Sequence, residues 1–245
     1  MITGAHACLA LLRLQPHRVR EVFLWAQDSR LELQVTQLAQ AANVPLQLRA
    51  PPGVEPESPN PQGVAVRVNP FEYRDLDSIV PASGARTKTL LLVLDSITDP
   101  RNLGAILRSA AFFEADAVIL PTDRSAEVSS LVERVSEGGS AAVPVVQVVN
   151  LARTLTSLRE RGVEVVGTAL DGATADLRDH QWTQATAIVL GAEGVGIRPL
   201  VRKNCDVLLR LDGPDTMQSL NVSAFATLTL AYARDPARRV GAKHA

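Results

Sequence analysis

From Thr89 onward the chain alternates short, wholly apolar runs with stretches whose apolar residues recur every three or four positions. Apolar runs without polar alternation predict strands buried on both faces, and the longer period predicts helices packed on them. The pattern predicts strands over Thr89 to Asp95, Ala117 to Leu120, Val143 to Val148, Glu164 to Thr168, Ala187 to Leu190 and Val207 to Leu211. Helices are predicted over Asn102 to Glu114, Ser129 to Glu137, Leu151 to Arg161 and Leu220 to Arg234. Strand and helix in alternation imply an α/β fold, a parallel sheet with helices on both faces.

The first third reads differently. Val19 to Ala26 predicts a strand, Leu31 to Ala42 a helix, and Leu46 to Leu48 and Gly63 to Val68 short strands, which together suggest a small α/β unit over residues 1–70. The proline-rich stretch Pro51 to Pro61 interrupts this unit, and the irregular stretch after it gives a linker over 71–88, leaving a second domain over 89–245.

Composition changes little in this picture and removes several function classes. Branched aliphatics and alanine dominate and aromatics make up only 4% of 245 residues, which suits a parallel α/β interior. The two cysteines, Cys8 and Cys205, and the four histidines have no ligand-like spacing, so no metal is expected. A reducing cytoplasm fits a chain with two unpaired thiols. The apolar stretch Ala7 to Leu14 carries Arg13 and no basic leader, which argues against a signal peptide, and no run reaches transmembrane length. A net charge of −1 does not announce a nucleic-acid binder, so any RNA contact has to come from a local basic surface.

Three segments place glycines and polar residues directly after a buried strand, where open α/β sheets form ligand crevices. In the first, Asp95 to Arg108, Asp99 or Asn102 can cap the following helix, and Arg108 is six residues beyond Asn102 and so on a different helical face. The second, Ile188 to Ile197, sets Gly191, Gly194 and Gly196 around Glu193; alone, a structural turn explains it as well as a cofactor loop does. The third, Leu211 to Ser223, runs from a strand into an apolar helix that Ser219 is placed to cap. Capping does not explain Asn221, a poor helix former among apolar neighbours.

In order and spacing these segments resemble the three motifs of the SpoU/TrmH class of the SPOUT methyltransferase superfamily. The first carries NxGxxxR as Asn102, Gly104 and Arg108, the second GxEGxG as Gly191, Glu193, Gly194 and Gly196, and the third SLNVS as Ser219 to Ser223. The chain is also similar to the RlmB-type 23S rRNA guanosine-2'-O-methyltransferases through Pro121 to Ala126, Val149 to Thr154, Val166 to Ala169, Gly4 to Ala7 and the Gln62-Gly63 strand start.

The resemblance implies S-adenosyl-L-methionine as cofactor and the ribose 2'-OH of a guanosine in 23S rRNA, free or in an assembling large subunit, as substrate. It also implies a C-terminal trefoil knot, an obligate homodimer built on the last helix, and an N-terminal RNA-binding domain like ribosomal protein L30e. Carried over by motif, Thr168, Gly191, Leu211 and Leu220 hold the cofactor, while Asn102, Arg108, Glu193, Ser219 and Asn221 form the polar active-site set. The first motif's arginine has been proposed as the general base in this class. Guanidinium stays charged, its pKa being above about 12, so Arg108 is read here as binding the target phosphate or steadying the alkoxide, with Glu193 holding it.

Two departures stand out: Leu211-Asp212-Gly213-Pro214-Asp215 where the class has IPMxG, and Pro61 where relatives often have histidine. The acidic pair keeps open a catalytically silent RNA-binding assembly factor. The other rival is the same chemistry on transfer RNA.

Overall fold

The computed structural model describes residues 1–53, 62–82, 84, 88–169, 171–172, 175–214, 216 and 219–235. Most of the proline-rich stretch, Pro61, Asp215 and the basic end with Arg238, Arg239 and Lys243 lie outside the described residues.

The first unit runs β1 (Ile2–Thr3), α1 (Ala5–Leu14), β2 (Val19–Leu24), α2 (Ser29–Ala41), β3 (Leu46–Gln47) and β4 (Val64–Val68), with the strands in the order β1-β4-β2-β3. The stretch weighed above as a leader is α1. It buries Ala7, Cys8, Leu9, Leu11 and Leu12 on one side, against Val22 and Val64 of the sheet and Val35 and Ala39 of α2. Among the described residues no helix is long and apolar enough to cross a membrane.

The second unit continues α3 (Leu76–Ile79), β5 (Leu90–Asp95), α4 (Pro100–Phe112), β6 (Ala117–Pro121), α5 (Ser130–Val135), α6 (Gly139–Ala142), β7 (Val145–Val148), α7 (Leu151–Glu160), β8 (Glu164–Thr168), β9 (Ala175–Asp176), β10 (Thr186–Gly191), α8 (Pro199–Arg202), β11 (Val207–Arg210) and α9 (Val222–Arg234). Its strands form one parallel sheet in the order β7-β6-β5-β10-β8-β11-β9. In β5, Leu90, Leu92 and Leu94 point to the face covered by α4 and α9, while Leu91 and Val93 point to the face covered by α7 and α8. Two-sided burial is why β5 reads as an unbroken aliphatic run.

The chain first builds outward from β5 to β7 and then returns to the far side of β5 to lay down β8, β10 and β11. The order therefore reverses between β5 and β10, the position at which the C-terminal strand ends open a crevice.

The stretch 71–88, expected as an irregular linker, is largely structured. Arg74 N donates to Val145 O at 2.8 Å, extending the sheet at the β7 edge, and Tyr73 Oη accepts from Val128 N at 3.1 Å. Val80 is fully buried with Leu155 and Leu158 of α7. The units are also joined by Arg18, only 1% exposed, whose guanidinium makes a two-point contact with Glu133 of α5 at 2.9 and 3.2 Å and stacks on Phe71.

Candidate active site

β5 ends at Asp95, a carboxylate with no exposure after five buried aliphatics. Burying that charge is costly without a partner. Arg198 supplies it, its backbone N–H reaching Asp95 Oδ2 at 2.8 Å and its Nε reaching Oδ1 at 2.6 Å. The far end of the loop after β10 is thereby tied to the end of β5. A carboxylate closing a buried strand signals that it needs a cation, but Arg198 is 103 positions away and no spacing rule connects them.

The loop between these anchors folds back on its own start: Gly196 N donates to Ala192 O at 2.8 Å, with Gly194 and Gly196 at φ 76° and 71°. A side chain at Gly191 would place its Cβ 2.1 Å from the Gly196 carbonyl carbon. Glycine at 191 is thus a packing requirement of the turn. In the first motif Gly104 serves similarly, since a Cβ there would sit 2.7 Å from Val135 of α5.

Asn221 ties the three sequence segments together. Its Nδ2 donates to Glu193 Oε1 at 2.7 Å and to Asn102 Oδ1 at 3.1 Å, while its Oδ1 accepts from Ser223 N at 2.9 Å and Ser223 Oγ at 2.6 Å. Glu193 Oε1 also accepts from Val222 N at 3.0 Å. Asn221 is therefore the cap of α9, a place assigned above to Ser219, and the helix starts at Val222, not Leu220. The cap requirement explains the asparagine that periodicity could not. At the other helix, Asp99 takes the cap by accepting from Arg101 N at 2.8 Å, which leaves Asn102 free to face Asn221.

Beside this knot of hydrogen bonds, at the C-terminal ends of β8, β10 and β11, opens a cavity of about 190 Å³. Thr168, Gly191, Leu211 and Leu220 all line it, with Glu193 and Ser219 from the polar set. Its wall combines exposed backbone of the glycine loop with the apolar side chains of Ile197, Val222 and Phe225; Arg202 and Asp171, paired at 3.1 Å, add polar groups. Thr168 turns its hydroxyl to Val189 O at 3.1 Å, which fixes β8 against β10. An amphipathic cleft with a main-chain cradle suits an adenosine carrying an amino-acid tail. Asp212, one of the two unexpected acids, pairs with Arg210 at 3.3 Å.

Arg108 is not held by Glu193. It is exposed on α4 and pairs with Glu137 at 3.0 Å; Glu137 also stands 3.8 Å from His6 of α1. Sequence reading missed Glu137 because periodicity made it the last residue of a helix over Ser129 to Glu137, whereas α5 ends at Val135 and Glu137 lies in the turn before α6. Covalent chemistry through a thiol is not served here, because burial pushes both Cys8 and Cys205 up to about 12, far from the thiolate form.

Comparison with known proteins adds a second line of evidence. Residues 89–231 match the model of the SpoU rRNA Methylase family. The 23S rRNA (guanosine-2'-O-)-methyltransferase RlmB of Photobacterium profundum is 39% identical over 237 residues, covering 94% of this chain and 95% of its own. That of Escherichia coli K12 is 38% identical over 237 residues, covering 94% and 96%. Among solved structures, the SpoU methyltransferase AviRb from Streptomyces viridochromogenes in complex with AdoMet superposes with a TM-score of 0.76 at 25% identity, covering 95% of this chain and 88% of that one. With Asn102, Glu193 and Asn221 of the three segments meeting beside one crevice and the match spanning the second unit, the chain belongs to the SpoU rRNA methylase family.

Proposed function

We propose that this protein transfers a methyl group from S-adenosyl-L-methionine to the ribose 2'-OH of a guanosine in 23S rRNA. The observation that carries the reading is the meeting of Asn102, Glu193 and Asn221 beside a cavity lined by Thr168, Gly191, Leu211 and Leu220. The similarity to RlmB proteins along 94% of the chain supplies the substrate.

S-adenosyl-L-methionine supplies a methyl group already activated on a sulfonium, so the protein's task is alignment and control of the hydroxyl proton. The glycine-loop backbone, Leu211 and Leu220 hold the cofactor, and Phe225 and Ile197 exclude water from it. Asn221 fixes Glu193 and Asn102 at the mouth, where Ser219 faces the ribose. Arg108 takes the target phosphate or the developing alkoxide, with Glu137 setting its orientation.

Residues 1–70 act as the RNA reader on an L30e-like scaffold, and 89–245 as the catalytic domain. The chain between β11 and α9 threads the loop after β10 as a trefoil knot, a reading supported by Leu211, Leu220 and the glycine loop lining one cavity. The enzyme works as a cytoplasmic homodimer; the supporting feature is exposed Phe112, 79% accessible at the end of α4 beside α9.

The deciding experiment is a primer-extension map of ribose methylation in ribosomal and transfer RNA from cells lacking the protein. Loss of one 23S guanosine methylation supports the reading. A loss confined to transfer RNA, or none, overturns it.

A further inference from the structure

Two of the segments shared with the RlmB-type proteins, Pro121 to Ala126 and Val149 to Thr154, play no part in the cavity or in the Asn221 cluster. Both follow a strand of the large sheet, and so does the start of α4. Because β7, β6 and β5 are parallel neighbours, the turns after them open on the same edge as the crevice. Each strand end leads to one exposed arginine: Arg153 in the first turn of α7 after β7, Arg124 in the loop after β6, and Arg101 in the first turn of α4 after β5. The next strand in the row is β10, and the loop that follows it carries Glu193.

None of the three guanidinium groups has an ion-pair partner among the described residues, a state shared with exposed Arg13, Arg20, Arg30, Arg49, Arg74 and Arg134; what sets the three apart is their place after three neighbouring strands of one sheet. Of the carboxylates in these turns, Asp99 is occupied in capping α4, and Asp123 is exposed beside Arg124. Arg124 also sits at φ 58°, in the left-handed region that a side chain enters at a cost. A turn there would be relieved by glycine or asparagine, yet an arginine occupies it.

We propose that Arg101, Arg124 and Arg153 form a track that grips successive phosphates of the RNA strand flanking the target ribose and leads it along the strand ends into the crevice at β10. This rests on the methyltransferase reading above and specifies how that site holds its substrate. Neighbouring strands are about 4.8 Å apart, so the row from β7 to β10 spans roughly 14 Å. A strand carrying one phosphate per about 3.4 Å of helix axis offers several along that length, fewer if extended. A chain with a net charge of −1 has no general attraction for RNA, and a local row of unpaired guanidinium groups supplies it.

The test uses the full-length protein and an unmodified 23S rRNA transcript. Binding is measured against salt concentration for wild type, for R101Q/R124Q/R153Q, and for R159Q/K203Q, which removes charge from the opposite edge of the sheet. Methyl transfer and calorimetric cofactor titration are run alongside. Each phosphate contact contributes about 0.7 to 0.9 to the slope of log affinity against log salt, so the triple variant should lose about 2 to 3. The loss should raise KM for RNA about tenfold or more, and R124Q alone should lose about one unit of slope. The track is overturned if the triple variant keeps the wild-type slope, or if the opposite-edge variant loses as much slope per charge. Failure of the wild type to methylate the transcript would count against the methyltransferase reading, while the binding arm would still decide the track.

Discussion

The Arg108 guanidinium is paired with Glu137 at 3.0 Å, and Glu137 holds this place with a left-handed backbone at φ 48°. A non-glycine residue there carries a conformational cost of about 1 to 2 kcal/mol. The pair itself cannot offset it, because both side chains are well exposed and such pairs give about 0 to 1 kcal/mol. On the proposal that Arg108 meets the RNA, a strained residue that contributes little stability and pairs with Arg108 serves to position it. Glu137→Gly should therefore leave the melting temperature unchanged or raise it, while methyl transfer falls about 3- to 10-fold at unchanged cofactor affinity. A variant that is both less stable and fully active would show that Glu137 serves the fold alone.

Gly191→Ala should abolish cofactor binding with a modest stability loss. The added carbon meets backbone of Gly196 and Ile197, not a side chain that could swing away. The loop must open, and the cavity wall opens with it. Calorimetric titration of S-adenosyl-L-methionine is the measurement; an affinity within threefold of wild type would mean that the loop geometry does not shape the site.

Arg18 and Glu133 test how the two units depend on each other. Breaking a buried pair costs about 3 to 5 kcal/mol because one charge is left alone, whereas an apolar replacement of both is often tolerated. Glu133→Ala should lower stability by that amount in denaturant unfolding, and Arg18→Met with Glu133→Leu should recover most of it. A fragment starting near Lys88 would strand Glu133 and uncover the apolar surface under Val80, so the units are better uncoupled by substitution than by truncation.

The parts of this molecule legible in its sequence are those set by local pattern. The two-sided burial of Leu90 to Leu94 made the strand plain, and the glycines of the loop after β10 marked a close main-chain approach. Alternation predicted the parallel sheet, which the structure has. What stayed hidden depends on long-range partners. Asn221 reads as a misplaced polar residue until Glu193 and Asn102 are seen beside it. Assigning Glu193 to Arg108 failed because proximity of motifs in the fold is not contact between side chains. The helix α1 was passed over because its apolar stretch was weighed only as a leader, although burial of five of its ten residues is what an amphipathic core helix requires.

The proposed homodimer has a direct test. Phe112 is 79% exposed on the rim of the α4–α9 pair, where Phe225, Leu228 and Tyr232 are only partly buried. Light scattering of dilute protein should give twice 26.2 kDa. Phe112→Asp should shift the mass toward the monomer and lower transfer, since a charge at an apolar contact must be desolvated to keep it. A wild-type monomer with full activity would remove the dimer from the mechanism.

Arg108 is where the two readings of the first motif diverge most. As an exposed helix residue with one surface ion pair, it should cost less than about 0.5 kcal/mol in stability when replaced by alanine. If that were its whole role, turnover would hardly change. If it meets the target phosphate or the emerging alkoxide, Arg108→Ala should lower single-turnover transfer to 23S rRNA by about 10² to 10⁴, the range for losing a positioned charge-stabilising group. Cofactor affinity should stay as it is, because Arg108 is not among the residues lining the cavity. Arg108→Lys should rescue poorly, since an ammonium cannot keep Glu137 on one side of a planar fork while offering the other side to an anion. Glu137→Gly in the Arg108→Ala background should then have no further effect, because a residue that works only through the guanidinium has nothing left to position. An alanine variant within threefold of wild type would reject the role of Arg108, and additive losses in the double variant would separate Glu137 from it.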